Sequence, residues 1–448
     1  MDTGEPDVAM PDKKAAVRRV DWLHFLRSLH LELFLFVYAV SYSMRLVMTQ
    51  DLLLTKACLQ RYSINATACR NLSWNTTIKD DVTRYANVHN LALFLIQFVP
   101  AGLLSIFVSP WSDRYGHKIP LLVATSGGIL QDLTTLFTVM AVSAPLGGLV
   151  SVCASVYSNG TRTASAELKT VRFAFIMTAL TLGFQLGLFV GGQVFRAAGG
   201  NYTAIYVTSA VLLAVMFVWI GWTVPFSSQL HRTSRRELVR DLMRLDNLRE
   251  GGRAVFRLRP GYNRAKLLLL MISIWFILFN SETARNINYF YTETRFDWSP
   301  VKFSNVTAFF GLVQLLATAV CVVVLSRLMQ VRDLVLACLG VVAFALQNAL
   351  KGISTHEWMY YLTKVFSFWT TCESLVPAFG DIFSSLVFNA ALSYQPGLPF
   401  LIGAALQLFP LAALILCLRM PHADPEDDDE TMLEPDRAGS TNQLPHTL

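Results

Sequence analysis

SPWSDRYGHKIP, at residues 109–120, places an Asp, an Arg, a His and a Lys between two long apolar runs. LALFLIQFVPAGLLSIFV precedes this stretch, and LLVATSGGILQDLTTLFTVM follows it. Each run is long enough for a helix to cross about 30 Å of hydrocarbon. Backbone amides must be paired internally in lipid, so such runs form helices. The charged stretch is therefore predicted to be a short loop that joins two membrane spans.

The composition agrees with a chain that lies mostly in lipid. Hydrophobic residues make up 53% of the 448 residues and charged residues only 15%, which is more apolar than most soluble domains. The N-terminal stretch MDTGEPDVAMPDKKAAVRRVDW has no apolar core, so a cleaved signal peptide is not expected there. These features predict an all-α polytopic membrane protein.

Ten apolar segments are clear candidates for spans, at residues 31–53, 88–108, 121–142, 173–192, 203–224, 267–290, 303–325, 333–350, 365–391 and 399–418. Two regions have lengths that do not fit a regular series of membrane spans joined by short turns. The apolar run at residues 121–158 should cross twice, with a tight turn near Ser143–Pro145, yet two full spans and a turn need about 45 residues. Between Thr355 and Lys364 the chain is too short to cross from one side to the other.

The loop after the first span predicts the orientation of the chain. It carries three glycosylation sequons, at Asn65, Asn71 and Asn75, which indicate the lumenal or exterior side. Because thiols are oxidised on that side, we predict a disulfide between Cys58 and Cys69; two free thiols are the alternative. Lys and Arg mark cytosolic loops, so residues 109–120 and both termini are expected in the cytosol.

A basic segment divides the spans into two groups. HRTSRRELVRDLMRLDNLREGGRAVFRLRPGYNRAK holds eleven Lys and Arg against four acids. It predicts either a solvated helical linker, which we favour, or an amphipathic helix on anionic headgroups. The predicted organisation is a cytosolic tail at residues 1–30, an N-terminal helix bundle at 31–224, a basic cytosolic linker at 225–266, a C-terminal helix bundle at 267–418 and an acidic disordered tail at 419–448.

The charged stretch resembles the loop signature of the major facilitator superfamily, Gly-x-x-x-Asp-Arg/Lys-x-Gly-Arg/Lys-Arg/Lys. Four positions match this gate motif: Asp113, Arg114, Gly116 and Lys118. Gly116 permits a tight turn, Asp113 suits the positive end of a neighbouring helix, and Arg114 can pair with acids on adjacent helices. The resemblance implies two pseudo-symmetric helix bundles of nominally twelve spans, of which about ten or eleven are recognisable here. A loop that only sets topology is the alternative.

A narrower resemblance rests on PWSDRYG, KTVRFAF, KVFSFWTTCESLVP and the GxxxGxxxG spacing of Gly183, Gly187 and Gly191. Together they resemble the proton-coupled folate transporter family, solute carrier family 46. That resemblance implies proton-driven import of folates, or carriage of other anionic solutes such as cyclic dinucleotides. Parts of the family's third and fourth spans and nearly all of its tenth span are absent here.

Polar and charged residues within the spans are the candidates for a substrate or proton path. A charge there costs roughly 2.5–3.5 kcal/mol on insertion scales, so each one needs an explanation. The candidates are Arg45, Asp132, Gln185, Glu282, Arg285, Glu373 and Asp381. The arginines suit an anionic solute, and the carboxylates can carry a proton. Structural roles stay open: Arg45 can extend outward to the interface, Glu282 can pair with Arg285 along one helix, and Glu373 and Asp381 can serve packing.

Other features exclude several function classes. Gly183, Gly187 and Gly191 share one helix face, which predicts close packing against another helix. The sequence contains no metal-spaced His or Cys cluster, no phosphate-binding Gly loop and no nucleophile elbow. We therefore expect no enzymatic activity, no metal, no cofactor and no nucleic-acid partner.

Two functions remain at this stage. The first is secondary active transport of a small organic anion by alternating access, with a folate-like or cyclic-dinucleotide-like solute and proton symport as options. The second is a non-transporting or truncated form of a transporter fold that acts as a receptor or scaffold, which the absent span segments favour. Plasma and lysosomal membranes are both compatible with the sequence, and the oligomeric state is left open.

Overall fold

The computed structural model describes residues 29–62, 69, 76–137, 148–163, 169–227, 233–242, 262–322, 333–366 and 395–419. Helices dominate this part of the chain, and no strand occurs within it. The predicted all-α fold is therefore confirmed. The predicted turn near Ser143–Pro145 and the sequons at Asn65, Asn71 and Asn75 lie outside the described residues.

The N-terminal lobe contains α1 (His30–Tyr62), α2 (Thr76–Tyr115), α3 (Lys118–Phe137), α4 (Gly148–Thr163), α5 (Lys169–Ala197) and α6 (Tyr202–Thr223). A short helix, α7 (Arg235–Leu242), follows in the basic segment. The C-terminal lobe contains α8 (Asn263–Phe296), α9 (Pro300–Val322), α10 (Asp333–Ile353), α11 (Glu357–Phe366), α12 (Leu398–Leu406) and α13 (Leu408–Arg419).

Several of these helices are long and apolar enough to cross a membrane. By length and composition, six segments of the described chain qualify: His30–Tyr62, Thr76–Ser105, Val171–Ala197, Tyr202–Thr223, Pro300–Ala317 and Leu398–Cys417. The segments alternate with charged turns such as residues 113–118, so the chain passes through the membrane more than once.

Helix α1 is the central helix of the N-terminal lobe, where it packs against α2, α4, α5 and α6. Its contact with α5 is close because the glycine face of α5 lies against it. A Cβ atom on Gly183 would lie 2.6 Å from the Phe36 carbonyl oxygen, and one on Gly191 would lie 2.5 Å from that of Met44. A side chain at Gly187 would overlap Ser43. The glycines thus set the distance between the two helices.

The opposite face of α5 packs against α9 of the C-terminal lobe. Gln193 donates a hydrogen bond from Nε2 to Asn305 Oδ1, 2.8 Å away. Further along the interface, Gln185 occupies the space beside Gly311, where a Cβ atom would overlap the Gln185 amide. Helix α5 is therefore packed tightly between the two lobes.

The two ends of the helices differ in their apolar contacts. We call the end that holds the Cys58–Cys69 disulfide, with a Cα–Cα distance of 5.9 Å, the disulfide end. We call the end that holds residues 109–120 the motif end. At the disulfide end one cluster joins both lobes and includes Cys58, Val82, Tyr289, Trp298 and Tyr360. At the motif end a separate cluster lies within the N-terminal lobe.

The loop predicted at residues 109–120 is mostly helical. Helix α2 continues to Tyr115 and α3 begins at Lys118, so only two residues separate them. Gly116 adopts a φ of 95°, a left-handed conformation that favours glycine. The predicted loop was too long because charged side chains mark the exit from hydrocarbon but do not end a helix.

The last predicted span, residues 399–418, is also interrupted. It consists of α12 and α13, with a break at the buried residue Gln407. Pro410 has no backbone N–H to donate to the carbonyl of residue 406. The regular helical hydrogen bonding is therefore interrupted at this point, whereas the sequence predicted one continuous span.

Candidate solute-binding cavity

A cavity of about 100 Å³ lies between the lobes and is lined by residues of α1, α2, α3, α6 and α8. Its aromatic wall contains Tyr42, Phe94, Phe98 and Tyr206. Its polar wall contains two arginines and five amide side chains: Arg45, Arg285, Gln50, Asn90, Gln97, Gln131 and Asn286. Within the described lining there is no carboxylate, so the charged side chains of the wall are both cationic.

Arg45 connects the cavity with a buried carboxylate. Its guanidinium forms an ion pair with Asp132 of α3, and both side chains are buried, with Asp132 fully so. Nη1 of Arg45 also donates to the carbonyl oxygen of Gly128 at 3.4 Å. The alternative in which Arg45 extends outward to the interface is therefore wrong, because its partner lies inside the lobe.

Two serines complete the surroundings of Asp132. Ser209 of α6 donates a hydrogen bond from Oγ to Asp132 Oδ2 at 2.6 Å. Ser209 Oγ lies 2.7 Å from Ser41 Oγ of α1. The carboxylate therefore joins α1, α3 and α6, and burial of its charge is offset by these bonds.

The remaining predicted path residues have different surroundings. Arg285 of α8 lines the cavity, with its guanidinium carbon 5.6 Å from the centre of the Phe184 ring. Gln185 does not line this cavity and packs instead against Gly311. The side chain of Glu282 and all of Glu373 and Asp381 lie outside the described residues. The structure thus places Arg45 and Arg285 in the lining of one cavity, and Asp132 pairs with Arg45 without lining the cavity itself.

Polar contacts join the two lobes at the disulfide end. Lys79 of α2, which is 7% exposed, forms ion pairs with Glu293, at 3.3 Å, and with Asp297. Asp51 of α1 accepts hydrogen bonds from Tyr289 of α8, at 2.5 Å, and from Tyr202 of α6, at 2.7 Å. We call the contacts that cross between the lobes, those of Lys79 with Glu293 and Asp297 and of Asp51 with Tyr289, the disulfide-end seam.

The sequence pattern did not predict the seam. Asp51 lies at the edge of a predicted span and Lys79 lies outside the predicted spans, and in both places a charged residue needs no special explanation. The available signal was TTIKDDVTRYANVHN, which continues directly into the apolar run and belongs to the same helix, α2. A helix of 40 residues extends well beyond the hydrocarbon, so its charged end can reach the other lobe.

The motif residues make their described bonds within the N-terminal lobe and with α7. Lys118 donates from Nζ to the Gly221 carbonyl oxygen at 2.8 Å, near the C-terminal end of α6, where a cation is favourable. Asp113 accepts a hydrogen bond from Ser158 of α4. Ser158 lies towards the end of α4, and the position of Asp113 at a helix N-terminus stays a prediction.

Helix α7 packs against the motif. Trp111 donates from Nε1 to the Leu238 carbonyl oxygen at 3.1 Å. Arg114 lies 3.5 Å from Asp241, and Tyr115 donates to the same carboxylate at 3.1 Å. Burial and the neighbouring Asp241 raise the pKa of Tyr115, so its hydroxyl remains a donor. This part of the basic segment is thus held on the protein.

Many transporters that work by alternating access have two lobes of membrane helices with a polar binding site between them. The described helices and the cavity have this arrangement. The sequence profile described as Major Facilitator Superfamily matches residues 78–394. The chain therefore belongs to the Major Facilitator Superfamily and is an integral multi-pass membrane protein. This membership places it among membrane transporters and not among enzymes.

Solved structures of other transporters are similar to this chain. The human organic anion transporter MFSD10 (TETRAN) is 16% identical with a TM-score of 0.53, covering 87% of this chain and 92% of that one. Inward-open XylE, the xylose transporter from E. coli, is 12% identical with a TM-score of 0.55, covering 91% and 100%. The nucleoside transporter NupG, as a point variant, is 13% identical with a TM-score of 0.52, covering 87% and 99%.

At these identities the likeness concerns the fold alone. Among curated proteins, no relative matches the chain significantly. Within the described part of the chain, no group of three His, Cys, Asp or Glu residues is placed to hold a metal ion.

Proposed function

We propose that the protein moves a small organic anion across the membrane by secondary active transport with alternating access. The two arginines of the cavity wall supply the positive charge that such a solute needs. The resemblance to solute carrier family 46 narrows the proposal to a folate-like or cyclic-dinucleotide-like anion.

In this proposal the disulfide end faces the exterior or the lumen, and the motif end faces the cytosol. The sequons support this orientation. The seam then closes the outer side, so the structure corresponds to a state that exchanges solute with the cytosol. Transport requires the seam to open while the motif end closes.

The observation that carries the proposal is the dual position of Arg45, which lines the cavity and also pairs with buried Asp132. A solute anion competes with Asp132 for the guanidinium. A proton on Asp132 weakens the ion pair and releases Arg45 to the solute. Proton and anion binding therefore favour each other, and this reciprocal coupling is what a symporter needs.

Uptake of labelled folate and of a labelled cyclic dinucleotide into expressing cells, at acidic and neutral pH, tests this proposal. We expect Arg285→Gln to reduce uptake at least about tenfold, because hydrogen bonds to charged groups contribute about 1.5–3 kcal/mol. Arg196→Gln is the matched control, since Arg196 is exposed at the end of α5 and its loss should leave uptake unchanged. Equal uptake by wild type and Arg285→Gln would contradict a solute site at this arginine.

The role of Asp132 is tested in the same cells. We expect Asp132→Asn to remove the stimulation of uptake by acidic pH. Because this variant leaves Arg45 buried and unpaired, a second variant, Arg45→Met/Asp132→Leu, removes both charges and should be better tolerated. If either folded variant keeps the acid stimulation, Asp132 does not carry the proton. Solute binding without uptake in the wild type would favour the alternative of a receptor or scaffold.

A further inference from the structure

Two pairs of amide side chains line the cavity, and they differ in how completely their atoms are bonded. Gln97 and Gln131, both in the N-terminal lobe, bond each other reciprocally at 3.3 and 3.4 Å. The second pair joins the lobes. Gln50 of α1 donates from Nε2 to the main-chain oxygen of Asn286 in α8, 2.9 Å away.

The second pair leaves one donor and one acceptor unused. A carbonyl oxygen can only accept, so the NH₂ group of Gln50 must face Asn286, and Gln50 Oε1 has no partner among the described residues. Asn286 Oδ1 accepts from Asn90 Nδ2 at 2.8 Å. In the same part of the chain, Asn286 Nδ2 has no partner. Gln50 is only 3% exposed and Asn286 only 8%.

Such an arrangement is costly unless another molecule completes it. A buried polar atom without a partner loses its hydrogen bonds to water and gains none in return. The complement of the two open positions is a neutral group that accepts from Asn286 Nδ2 and donates to Gln50 Oε1, such as a carboxamide. A carboxylate cannot fill both positions because it has no proton to donate.

We propose that Gln50 and Asn286 form a specificity subsite for a neutral donor–acceptor group of the transported anion. The inference rests on the proposed function. Arg285, the neighbour of Asn286 along α8, binds the acid group, while the amide pair distinguishes solutes by the rest of their structure. Because the pair spans α1 and α8, a solute bound there contacts both lobes beside the disulfide-end seam.

Binding of two probes to the purified full-length protein tests this subsite. Benzoate and 4-carbamoylbenzoate carry the same single charge and differ by one carboxamide. We expect the wild type to bind 4-carbamoylbenzoate about tenfold more tightly, since a satisfied buried bond contributes about 1 kcal/mol or more. Gln50→Met and Asn286→Leu, which resemble the natural residues in shape, should lose this preference while they still bind benzoate.

Gln97→Leu is the matched control, because it removes a cavity amide whose partner is within the same lobe; the preference should persist. Thermal unfolding verifies that each variant is folded, and either Gln50→Met or Asn286→Leu alone decides the question. Equal binding of both probes by the wild type, or an intact preference in a folded variant, overturns the subsite and leaves the anion site standing. If neither probe binds the wild type, the subsite and the anion site both fail.

Discussion

The two ends of the molecule hold their helices together in different ways. At the disulfide end, ion pairs and hydrogen bonds join one lobe to the other, as in Lys79 with Glu293 and Asp51 with Tyr289. At the motif end, the described bonds of Arg114 and Lys118 stay within the N-terminal lobe and α7. Charged side chains thus join the two lobes at the disulfide end, whereas at the motif end their described bonds hold parts of the N-terminal lobe and α7 together.

This difference determines what a movement of the lobes must break. Relative motion of the lobes has to separate Lys79 from Glu293, whereas the described bonds of Trp111, Arg114, Tyr115 and Lys118 join residues of the N-terminal lobe and α7 to each other. The disulfide-end seam should therefore set the free-energy difference between the two transport states. The motif end should instead position α7, with a smaller influence on that difference.

The largest effect is expected for Lys79→Met. This change leaves Glu293 and Asp297, which are 22% and 62% exposed, near each other without the cation that both of them contact, so the two like charges then repel each other. The disulfide end should open, because water then reaches both carboxylates. Spin labels on Arg84→Cys and Thr355→Cys, exposed positions on the two lobes, report this opening as a longer distance by double electron–electron resonance, in a background without other free thiols.

Lys302→Met is the control for that experiment. Lys302 pairs with Glu357 at 2.8 Å, but both residues belong to the C-terminal lobe and are 42% exposed. The label distance should not change. A similar lengthening in both variants would show that any lost charge opens this end, which would remove the distinction between contacts across and within lobes.

A smaller effect is expected for Tyr289→Phe. It removes the hydrogen bond that reaches Asp51 from the other lobe, and a bond to a charged group contributes about 1.5–3 kcal/mol. The same label pair should report partial opening. Tyr202→Phe removes the second bond to the same carboxylate from within the N-terminal lobe, so it should leave the distance unchanged. Equal behaviour of the two variants would contradict the comparison.

The smallest effect is expected for Asp241→Asn at the motif end. Its partner Arg114 is 46% exposed, and such pairs contribute about 0.2–1 kcal/mol. We expect faster hydrogen exchange in α7, because the helix is held less firmly, and no change in the label distance at the disulfide end. An opening as large as that of Lys79→Met would show that the motif end also controls the seam.

The membrane-spanning character of the chain could be predicted because it depends on local composition. Each apolar run contains its own reason to be a helix, and the glycine spacing of α5 predicts a close neighbour. Which helix forms that neighbour depends on tertiary packing and not on local composition. Arg45 and Asp132 are 87 positions apart, and the insertion cost of each charge does not reveal which helices bring them together.

The same limit explains the errors at individual residues. Gln185 was a candidate for the cavity because a polar side chain in a span needs a partner, yet the partner surface is Gly311 on the other lobe. The motif was predicted as a loop because its charged residues were taken to mark the end of the helix. Gln50 and Asn286 were not among the predicted site residues, because an uncharged amide in a span is common. The sequence does not reveal which of their amide atoms lack a hydrogen-bond partner.

The contact between Gly311 and Gln185 has a consequence for the evolution of the chain. A methyl group at position 311 would occupy the volume of the Gln185 amide, so position 311 cannot accept a larger residue while Gln185 is present. Related proteins should therefore vary at these two sites in a correlated way, with bulk at position 311 matched by a smaller residue at position 185.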